Sequence, residues 1–309
     1  MNVSKTLKIF SLTLTILLVI SCNKKNELDK NKKNEDYNNY KIHSIPIPDS
    51  LTFSGETVDL NENDLIQRFD KEILVNTYWQ SNTLQLIKRS RKFFKIIEPI
   101  LKKEGVPDDF KYLAVIESGL ENLRSPKGAK GIWQIMRGTG RELGLEINNN
   151  VDERYNLELS TIAACRYIKK AKNKFGTWTL AAAAYNRGMS GVNRALKKQN
   201  VKSYYDLLLG NETKRYVFRI HAIKLILNDP SNYGFFVKDS EYYKDDDFEL
   251  MNVDYPIKNL SEFANKVGIN YKTLKIFNPW LIQNHLNNRS KKKYKIKIPK
   301  YLNSFQLTL

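Results

Sequence analysis

A single carboxylate lies on an apolar helical face in the segment that ends near residue 120. Leu113, Ile116, Glu117 and Leu120 occupy positions i, i+3, i+4 and i+7, which share one face of a helix. A carboxyl group on a face that its neighbours bury is costly when ionised, unless another group pairs with it. Gly119 is a natural helix terminator, so Glu117 falls in the last turn, at the negative end of the helix dipole.

Burial and the helix dipole both disfavour ionisation of Glu117, so they predict a pKa above the usual value of about 4.3. A carboxylic acid that stays protonated near neutral pH is what a general acid requires. The same segment also suits a structural Glu that is hydrogen-bonded to the backbone or to a basic partner. Taken alone, this stretch leaves both interpretations open.

The elements that must position Glu117 are almost wholly helical from about residue 60 to residue 230. Apolar residues recur at helical spacing, Thr177 is a suitable N-cap, and Gly188 a suitable stop. The pattern predicts an all-helical domain of roughly 170 residues in a mainly α protein. The first of these predicted helices spans residues 84–103, and the next begins at Pro107. The later ones span residues 131–143, 157–175, 178–187, 190–198, 203–209 and 213–228.

Five short motifs follow one another through residues 107–217. They are Glu117-Ser118, Gly128-Ala-Lys-Gly-Ile-Trp-Gln-Ile-Met136 with Gly138-Thr-Gly140, Val151-Asp-Glu-Arg154, Ala184-Tyr-Asn-Arg-Gly188 and Glu212-Thr-Lys-Arg-Tyr-Val217. In this order the chain resembles the lytic transglycosylases with a lysozyme-like domain, most closely the membrane-bound lytic murein transglycosylase D type. It departs from that pattern at Arg137, where such relatives commonly have proline.

The resemblance implies that Glu117 is the single catalytic acid/base of a lysozyme-like domain. It further implies that Gln134 and Asn186 hydrogen-bond sugar groups, while Ser118 and Tyr216 shape the same pocket. Amide side chains suit this role because they offer both a donor and an acceptor to sugar hydroxyl and N-acetyl groups.

Two aromatic residues of these motifs can cover apolar sugar faces, although each also suits packing. Tyr185 is predicted to bind substrate, yet it shares a helical stripe with Ala181 and Ala184. Trp133 fits a core position better than a stacking position. The turn 152–154 is best explained as a local ion-paired structure.

The resemblance implies cleavage of the bond between N-acetylmuramic acid and N-acetylglucosamine without water, which leaves 1,6-anhydro ends. It calls for no cofactor and no metal. Two alternatives remain: a hydrolytic muramidase, in which water replaces the C6 hydroxyl, and an inactive wall-binding lipoprotein.

The composition changes after the helical domain, which is assigned to residues 59–238. Residues 239–250 are rich in acids and are predicted to form an exposed linker. The rest, 251–309, reads as a strand at 255–257, helices at 260–267 and 271–277, and a strand at 294–299. This order resembles a LysM carbohydrate-binding module, a small α+β fold.

The first residues read as an export signal. Residues 1–21 combine early lysines with a short apolar stretch, and the sequence up to Cys22 resembles the lipobox of bacterial lipoproteins. We therefore expect a lipid on Cys22, a flexible tether over residues 22–58, and a place in the bacterial cell envelope, at the outer membrane facing the periplasm. Cys165 lies in an apolar helix and is expected to be a small buried hydrophobe.

The charge balance points to an anionic partner. The chain has 51 Lys and Arg against 33 Asp and Glu, a net charge of +18, and removal of residues 1–21 leaves +16. Peptidoglycan carries peptide carboxylates and fits this charge. Nucleic acid is disfavoured, because export is predicted and no reading helix or finger pattern is present. Three widely spaced histidines and two cysteines argue against a metal site.

Overall fold

The structure is a computed structural model, and it describes residues 42–300. The predicted signal and Cys22 lie outside these residues. Within them the chain has the strands β1 (Ser50–Phe53), β2 (Glu56–Asp59), β3 (Phe248–Val253) and β4 (Tyr294–Pro299). The helices are α1 (Asn63–Tyr78), α2 (Gln80–Glu104), α3 (Lys111–Ser118), α4 (Arg137–Glu142), α5 (Leu157–Phe175), α6 (Trp178–Arg187), α7 (Met189–Gln199), α8 (Asn211–Asn228), α9 (Leu260–Lys266) and α10 (Tyr271–Phe277).

A β-hairpin precedes the helices, in the span that the sequence assigned to the flexible tether. Strands β1 and β2 pair antiparallel, with Leu51 opposite Val58. Leu51 and Phe53 alternate to the same side of β1 and are buried in the main core. The prediction of a flexible tether is therefore wrong for residues 50–58, because the aliphatic Leu51 and the aromatic Phe53 give this segment an apolar face to bury.

Helices α1 to α3 and α5 to α8 share one hydrophobic core, and several predicted helices are confirmed. Helices α5 and α6 have the predicted bounds, and Thr177 caps α6 by accepting a hydrogen bond from the Leu180 amide at 3.2 Å. Four consecutive alanines, 181–184, are fully buried in α6. Their small side chains let α5, α7 and α8 approach this helix closely.

Two predicted helices are wrong in part or whole. Residues 131–136 form a turn, and only Arg137–Glu142 is helical, because Gly131 and Gln134 adopt positive φ values of 78° and 46°. Residues 203–209 form no helix. There the Leu208 amide donates to the Gln199 side chain at 2.8 Å, so a side chain satisfies the backbone in place of a helical carbonyl.

The C-terminal part is a two-stranded antiparallel sheet, β3 with β4, with α9 and α10 between the strands. The predicted strand at 255–257 is wrong: the strand lies earlier, at β3, and Ile257 makes only a single bridge with Leu286. Val253 is the inward-facing residue at the end of β3 and is fully buried, which fixes the position of the strand.

The helical part and the C-terminal part are joined through backbone hydrogen bonds. Val151 belongs to the hydrophobic core of the C-terminal part. The Asp152 amide donates to the Trp280 carbonyl at 2.9 Å, and the Ile282 amide donates to the Asn150 carbonyl at 3.0 Å. The two parts therefore share a built interface. Between residues 42 and 300, no helix has the length and apolar character needed to cross a bilayer.

Candidate active site

Glu117 occupies the last turn of α3, as predicted. Gly119 ends the helix with a φ of 62°, and Leu113, Ile116 and Leu120 are buried. Glu117 itself is half-buried. The helix therefore commits its apolar stripe to the core and leaves one carboxyl group at the boundary between the core and the surface.

The Glu117 carboxyl group has one strong partner, a tyrosine from α8. The Tyr216 hydroxyl donates a hydrogen bond to Glu117 Oε1 at 2.5 Å. Tyr216 is buried, and burial and the Glu117 charge raise its pKa well above its ordinary value, so the hydroxyl keeps its proton and remains a donor. The second carboxyl oxygen, Oε2, is then free to carry the acid proton.

Burial raises the pKa of Glu117 to about 7. The Tyr216 hydrogen bond and the positive charge of Arg219 act in the opposite direction, and the negative charge of Glu212 adds to the increase. Arg219 directs its guanidinium to the Ile116 carbonyl at 3.3 Å, so its charge acts on Glu117 from a distance. At neutral pH both protonation states of Glu117 are thus populated.

Tyr185 lies beside this pair on α6. Its hydroxyl donates to the Trp133 carbonyl at 2.7 Å, and burial, followed by the Glu117 charge, raises its pKa well above the ordinary value. Trp133 is fully buried and donates through Nε1 to Thr161 at 2.8 Å. The core interpretation of Trp133 is confirmed.

Asn186 joins the end of α6 to the start of α8. Its amide donates to Glu212 Oε1 at 3.0 Å, and its oxygen accepts from the Thr213 hydroxyl at 2.8 Å. Glu212 is also one of the charges that affect Glu117. Asn186 is therefore linked to the Glu117 site through one intermediate residue.

Ser118 and Gln134 hold the loop before α4 instead of contacting Glu117. The buried Ser118 hydroxyl donates to the Ile132 carbonyl at 2.7 Å. The Gln134 amide donates to the Gly131 carbonyl at 2.8 Å and to the Leu123 carbonyl at 3.2 Å. Both side chains thus fix the loop that leads from the end of α3.

A buried cluster of ion pairs also holds this loop in place. Arg154 donates through Nε and Nη2 to the Asp152 carboxylate, each at 2.8 Å, and Lys130 adds a third contact at 3.1 Å. Arg154 also reaches the carbonyls of Gly128 and Ile135, at 3.1 and 3.2 Å. These cations hold the pKa of Asp152 below its ordinary value against the effect of burial. The predicted ion-paired turn is confirmed. The sequence did not indicate that this turn would hold the loop before α4.

Sequence reasoning missed Arg219 and Thr213, and it did not assign a role to Glu212. Arg219 stands three residues after Tyr216, on the same face of α8, which is the signal that could have identified it. In the part of the chain that the structure describes, no three His, Cys, Asp or Glu side chains are grouped so that they could hold a metal ion. Cys165 is buried, and burial raises its pKa to about 12.

Comparison with known proteins finds two family matches. Residues 94–208 match the transglycosylase SLT domain, and residues 249–301 match the soluble lytic transglycosylase C-terminal LysM-like domain. The chain is 30% identical over 242 residues to the membrane-bound lytic murein transglycosylase D of Escherichia coli (strain K12), and equally so to that of Escherichia coli O6:H1. Each match covers 75% of this chain and 52% of the relative, so the chain spans about half the length of these curated relatives.

A solved structure, an inactive mutant of the lytic transglycosylase Slt from Pseudomonas aeruginosa, is 22% identical, with a TM-score of 0.34. The match covers 49% of this chain and 26% of the Slt chain. The family matches, in contrast, coincide with the helical part that carries Glu117 and with the β3–β4 part. The chain thus carries a lysozyme-like transglycosylase SLT domain followed by a LysM-like C-terminal domain.

Proposed function

We propose that this protein is a peptidoglycan lytic transglycosylase that cleaves the β-1,4 bond between N-acetylmuramic acid and N-acetylglucosamine and leaves 1,6-anhydro ends. The observation that carries the proposal is the state of Glu117, a half-buried carboxyl group with a pKa of about 7 and a tyrosine donor at 2.5 Å. The SLT match over residues 94–208 and the lytic transglycosylase relatives support the same activity.

The first step is proton donation by Glu117 to the glycosidic oxygen. Because Tyr216 donates to Oε1, the proton of the acid resides on Oε2, which is the oxygen that would face the bond. As the C1–O bond breaks, positive charge develops at C1 of the muramic residue. The substrate's own 2-acetamido group can stabilise this charge, so no second carboxylate is needed.

The second step uses the same carboxyl group as a base. Glu117, now ionised, accepts the proton of the C6 hydroxyl, and the C6 oxygen forms a bond to C1. The proton given in the first step is thus regained, the glycan is cleaved, and no water is consumed. A group that must act as acid and then as base works best when its pKa lies near the operating pH, and that of Glu117 is about 7.

The remaining site residues are proposed to bind or shape the substrate groove. Asn186 and Gln134 would exchange their present hydrogen bonds for bonds to sugar groups. Tyr185 would pack against a sugar face, because its ring lies next to the Glu117 charge. Ser118 and Tyr216 would act from inside, Ser118 by holding the loop and Tyr216 by orienting Glu117.

The proposal places the protein in the bacterial cell envelope. The signal-like residues 1–21 and the lipobox-like Cys22 support this location. Cys22 would carry a lipid that anchors the chain to the outer membrane, facing the periplasm. The LysM-like domain and the basic segment 289–300 would retain the enzyme on the anionic wall polymer.

Product analysis on purified peptidoglycan tests this function. Digests should contain muropeptides with 1,6-anhydro ends, which are one water lighter than hydrolysed products when measured by mass spectrometry. Glu117→Gln should abolish the products, because an amide cannot donate the proton, while the matched variant Glu121→Gln, at an exposed position near the same helix end, should retain them. Hydrated ends would instead identify a hydrolytic muramidase. Wall binding without any cleavage by the wild-type chain would identify a wall-binding lipoprotein.

A further inference from the structure

Helix α8 carries two charged residues, one turn to either side of the tyrosine that contacts Glu117. Glu212, Tyr216 and Arg219 occupy positions i, i+4 and i+7, which share one face of the helix. Neighbours on such a stripe lie about 5 to 6 Å apart at their Cβ atoms. Because the Tyr216 hydroxyl reaches Glu117 Oε1 at 2.5 Å, one anion and one cation flank the point of contact with Glu117.

Arg219 is bound to the end of the helix that carries Glu117. Its Nη2 donates to the Ile116 carbonyl at 3.3 Å, one residue before Glu117. The last carbonyls of a helix carry a partial negative charge, so a cation placed there stabilises the helix end. Arg219 is half-buried, so solvent screens its charge less than it screens the charge of an exposed side chain.

A second arginine at the same helix end has a carboxylate partner of its own. Arg89 of α2 donates to the Gly119 carbonyl and pairs with Glu121 at 2.5 Å. Arg219, in contrast, forms no salt bridge with a carboxylate among residues 42–300, and its hydrogen bond goes to a backbone carbonyl. No direct partner therefore cancels the positive charge of Arg219, which remains available to act on Glu117.

The other titratable groups that face Glu117 are uncharged tyrosines. Burial, followed by the Glu117 charge, raises the pKa of Tyr216 and of Tyr185 well above the ordinary value, so both keep their protons. Glu212 is exposed and accepts from the Asn186 amide at 3.0 Å, so solvent weakens its repulsion of the Glu117 carboxylate. Two opposite charges thus act on Glu117, and the less screened of the two is that of Arg219.

We propose that Arg219 is a positioning residue for Glu117: it holds the end of α3, and its charge, opposed by that of Glu212, stabilises the carboxylate that remains after Glu117 donates its proton. The catalytic consequence rests on the proposed function, in which Glu117 must act first as an acid and then as a base. Without Arg219, burial and the Glu212 charge would both favour the protonated form, and less of the base form would be present for the second step.

The test follows the Glu117 carboxyl group directly, by ¹³C NMR of the full chain labelled with glutamate that carries ¹³C at its side-chain carboxyl carbon. The resonance that is missing in Glu117→Gln identifies the probe. Arg219→Met removes the charge and keeps a long side chain, and it should move the titration of Glu117 upward by about 0.5 to 1 pH unit. Arg219→Lys keeps the charge and should titrate near the wild-type value. The basic limb of kcat/KM should move in the same direction as the titration in each variant.

Two further variants separate the effect of charge from that of packing. Glu212→Gln removes the opposing charge and keeps an acceptor for Asn186, so the titration of Glu117 should move downward, by about 0.2 to 0.5 pH unit. The matched control Arg194→Met, at an exposed position of α7, removes one positive charge elsewhere in the domain and should leave the titration in place. Altered packing of α8 does not predict movements of opposite sign in Arg219→Met and Glu212→Gln.

Three results would overturn the proposal: a titration of Glu117 that is unmoved in Arg219→Met, an equal upward movement in Arg219→Met and Arg219→Lys, or an upward movement in Glu212→Gln. Because Glu212 is exposed, its substitution tests the sign of the effect even if Arg219→Met fails to fold. The NMR titration needs no turnover, so its result is independent of the product analysis. A chain that forms no 1,6-anhydro ends would contradict the proposed function and still report whether Arg219 acts on Glu117.

Discussion

The hydroxyl of Tyr216 should set the pH above which the proposed activity is lost. In this structure it donates to Glu117 Oε1, and a hydrogen bond to the ionised carboxylate favours ionisation. Tyr216→Phe removes the hydroxyl and keeps the ring that fills the core. Burial of Glu117 then acts with less opposition, so the pKa of Glu117 must rise above its present value of about 7.

The size of this effect follows from the nature of the bond. A hydrogen bond to a charged group contributes a net free energy of about 1.5 to 3 kcal/mol. One pKa unit corresponds to about 1.4 kcal/mol, so removal of the bond should move the titration of Glu117 upward by about one to two pH units. In the proposed reaction Glu117 must be protonated to donate, so kcat/KM should fall as pH rises through its pKa. The basic limb of the profile should therefore move from about 7 to between about 8 and 9 in Tyr216→Phe.

The assay is release of soluble muropeptides from purified peptidoglycan between pH 5 and pH 9, fitted for the basic limb of kcat/KM. The control is Tyr167→Phe, which removes another tyrosine hydroxyl near the site, one that donates to the Ala184 carbonyl at 2.9 Å and makes no bond to Glu117. Its basic limb should stay in place. A limb in Tyr216→Phe that is unmoved, or that moves to lower pH, would refute the argument that this hydroxyl stabilises the ionised form.

Three further perturbations test the fold that holds the site. Buried His221, whose pKa burial lowers to about 3, stays neutral in the fold while the unfolded chain binds a proton below about 6.5. The contribution of this group to the free energy of unfolding should therefore fall by about 2 kcal/mol from pH 7 to pH 5, measured by urea unfolding as the difference between the wild type and His221→Gln. Gly131→Ala should lower the free energy of unfolding by at least about 2 kcal/mol more than Gly128→Ala, and it should lower activity. Both glycines have a positive φ, but only at Gly131 would a Cβ lie 1.9 Å from the Arg154 carbonyl oxygen. Deletion of 248–309 should lower the Tm of the SLT domain by about 5 °C or more, by calorimetry.

Each of these has an outcome that contradicts it. An unchanged pH dependence in His221→Gln would mean that this histidine is protonated in the fold. Equal stabilities of the two glycine variants would mean that the loop moves away from Arg154 at no cost. A Tm unchanged by the deletion would mean that burial of Val151 and the bond to the Trp280 carbonyl contribute nothing to the helical part.

The helices could be predicted where periodicity and capping agreed. Helices α5 and α6 each have an apolar stripe, a polar N-cap and a glycine at the end, and both were predicted with the bounds that the structure has. Residues 203–209 carry apolar residues at suitable spacing, yet tertiary contacts decide their structure. The Tyr204 hydroxyl donates to the Thr213 and Lys214 carbonyls, which ties the segment to α8 in an irregular conformation.

The candidate site could be predicted only as far as local spacing reaches. The position of Glu117 at a helix end follows from residues within one turn of it. Its partner Tyr216 lies 99 residues further along the chain, and no periodicity indicates which hydroxyl reaches the carboxyl group. The same limit applies to the interface with the LysM-like domain. There backbone groups of Asn150 and Asp152 make hydrogen bonds, and side chains such as Tyr294 and Glu146, 148 residues apart, are paired by the fold and not by local spacing.

The pKa of Glu117 results from opposing contributions that the fold supplies from separate elements. Burial by α3 and its neighbours favours the acid form, while Tyr216 and Arg219, both from α8, favour the base form. A reaction with two carboxylates can assign one form to each, but a site with one carboxylate needs both forms from the same group. The geometry of α8 relative to α3 thus determines more than the shape of a groove. In the proposed reaction, it determines whether the proton that Glu117 gives up in the first step can be recovered in the second.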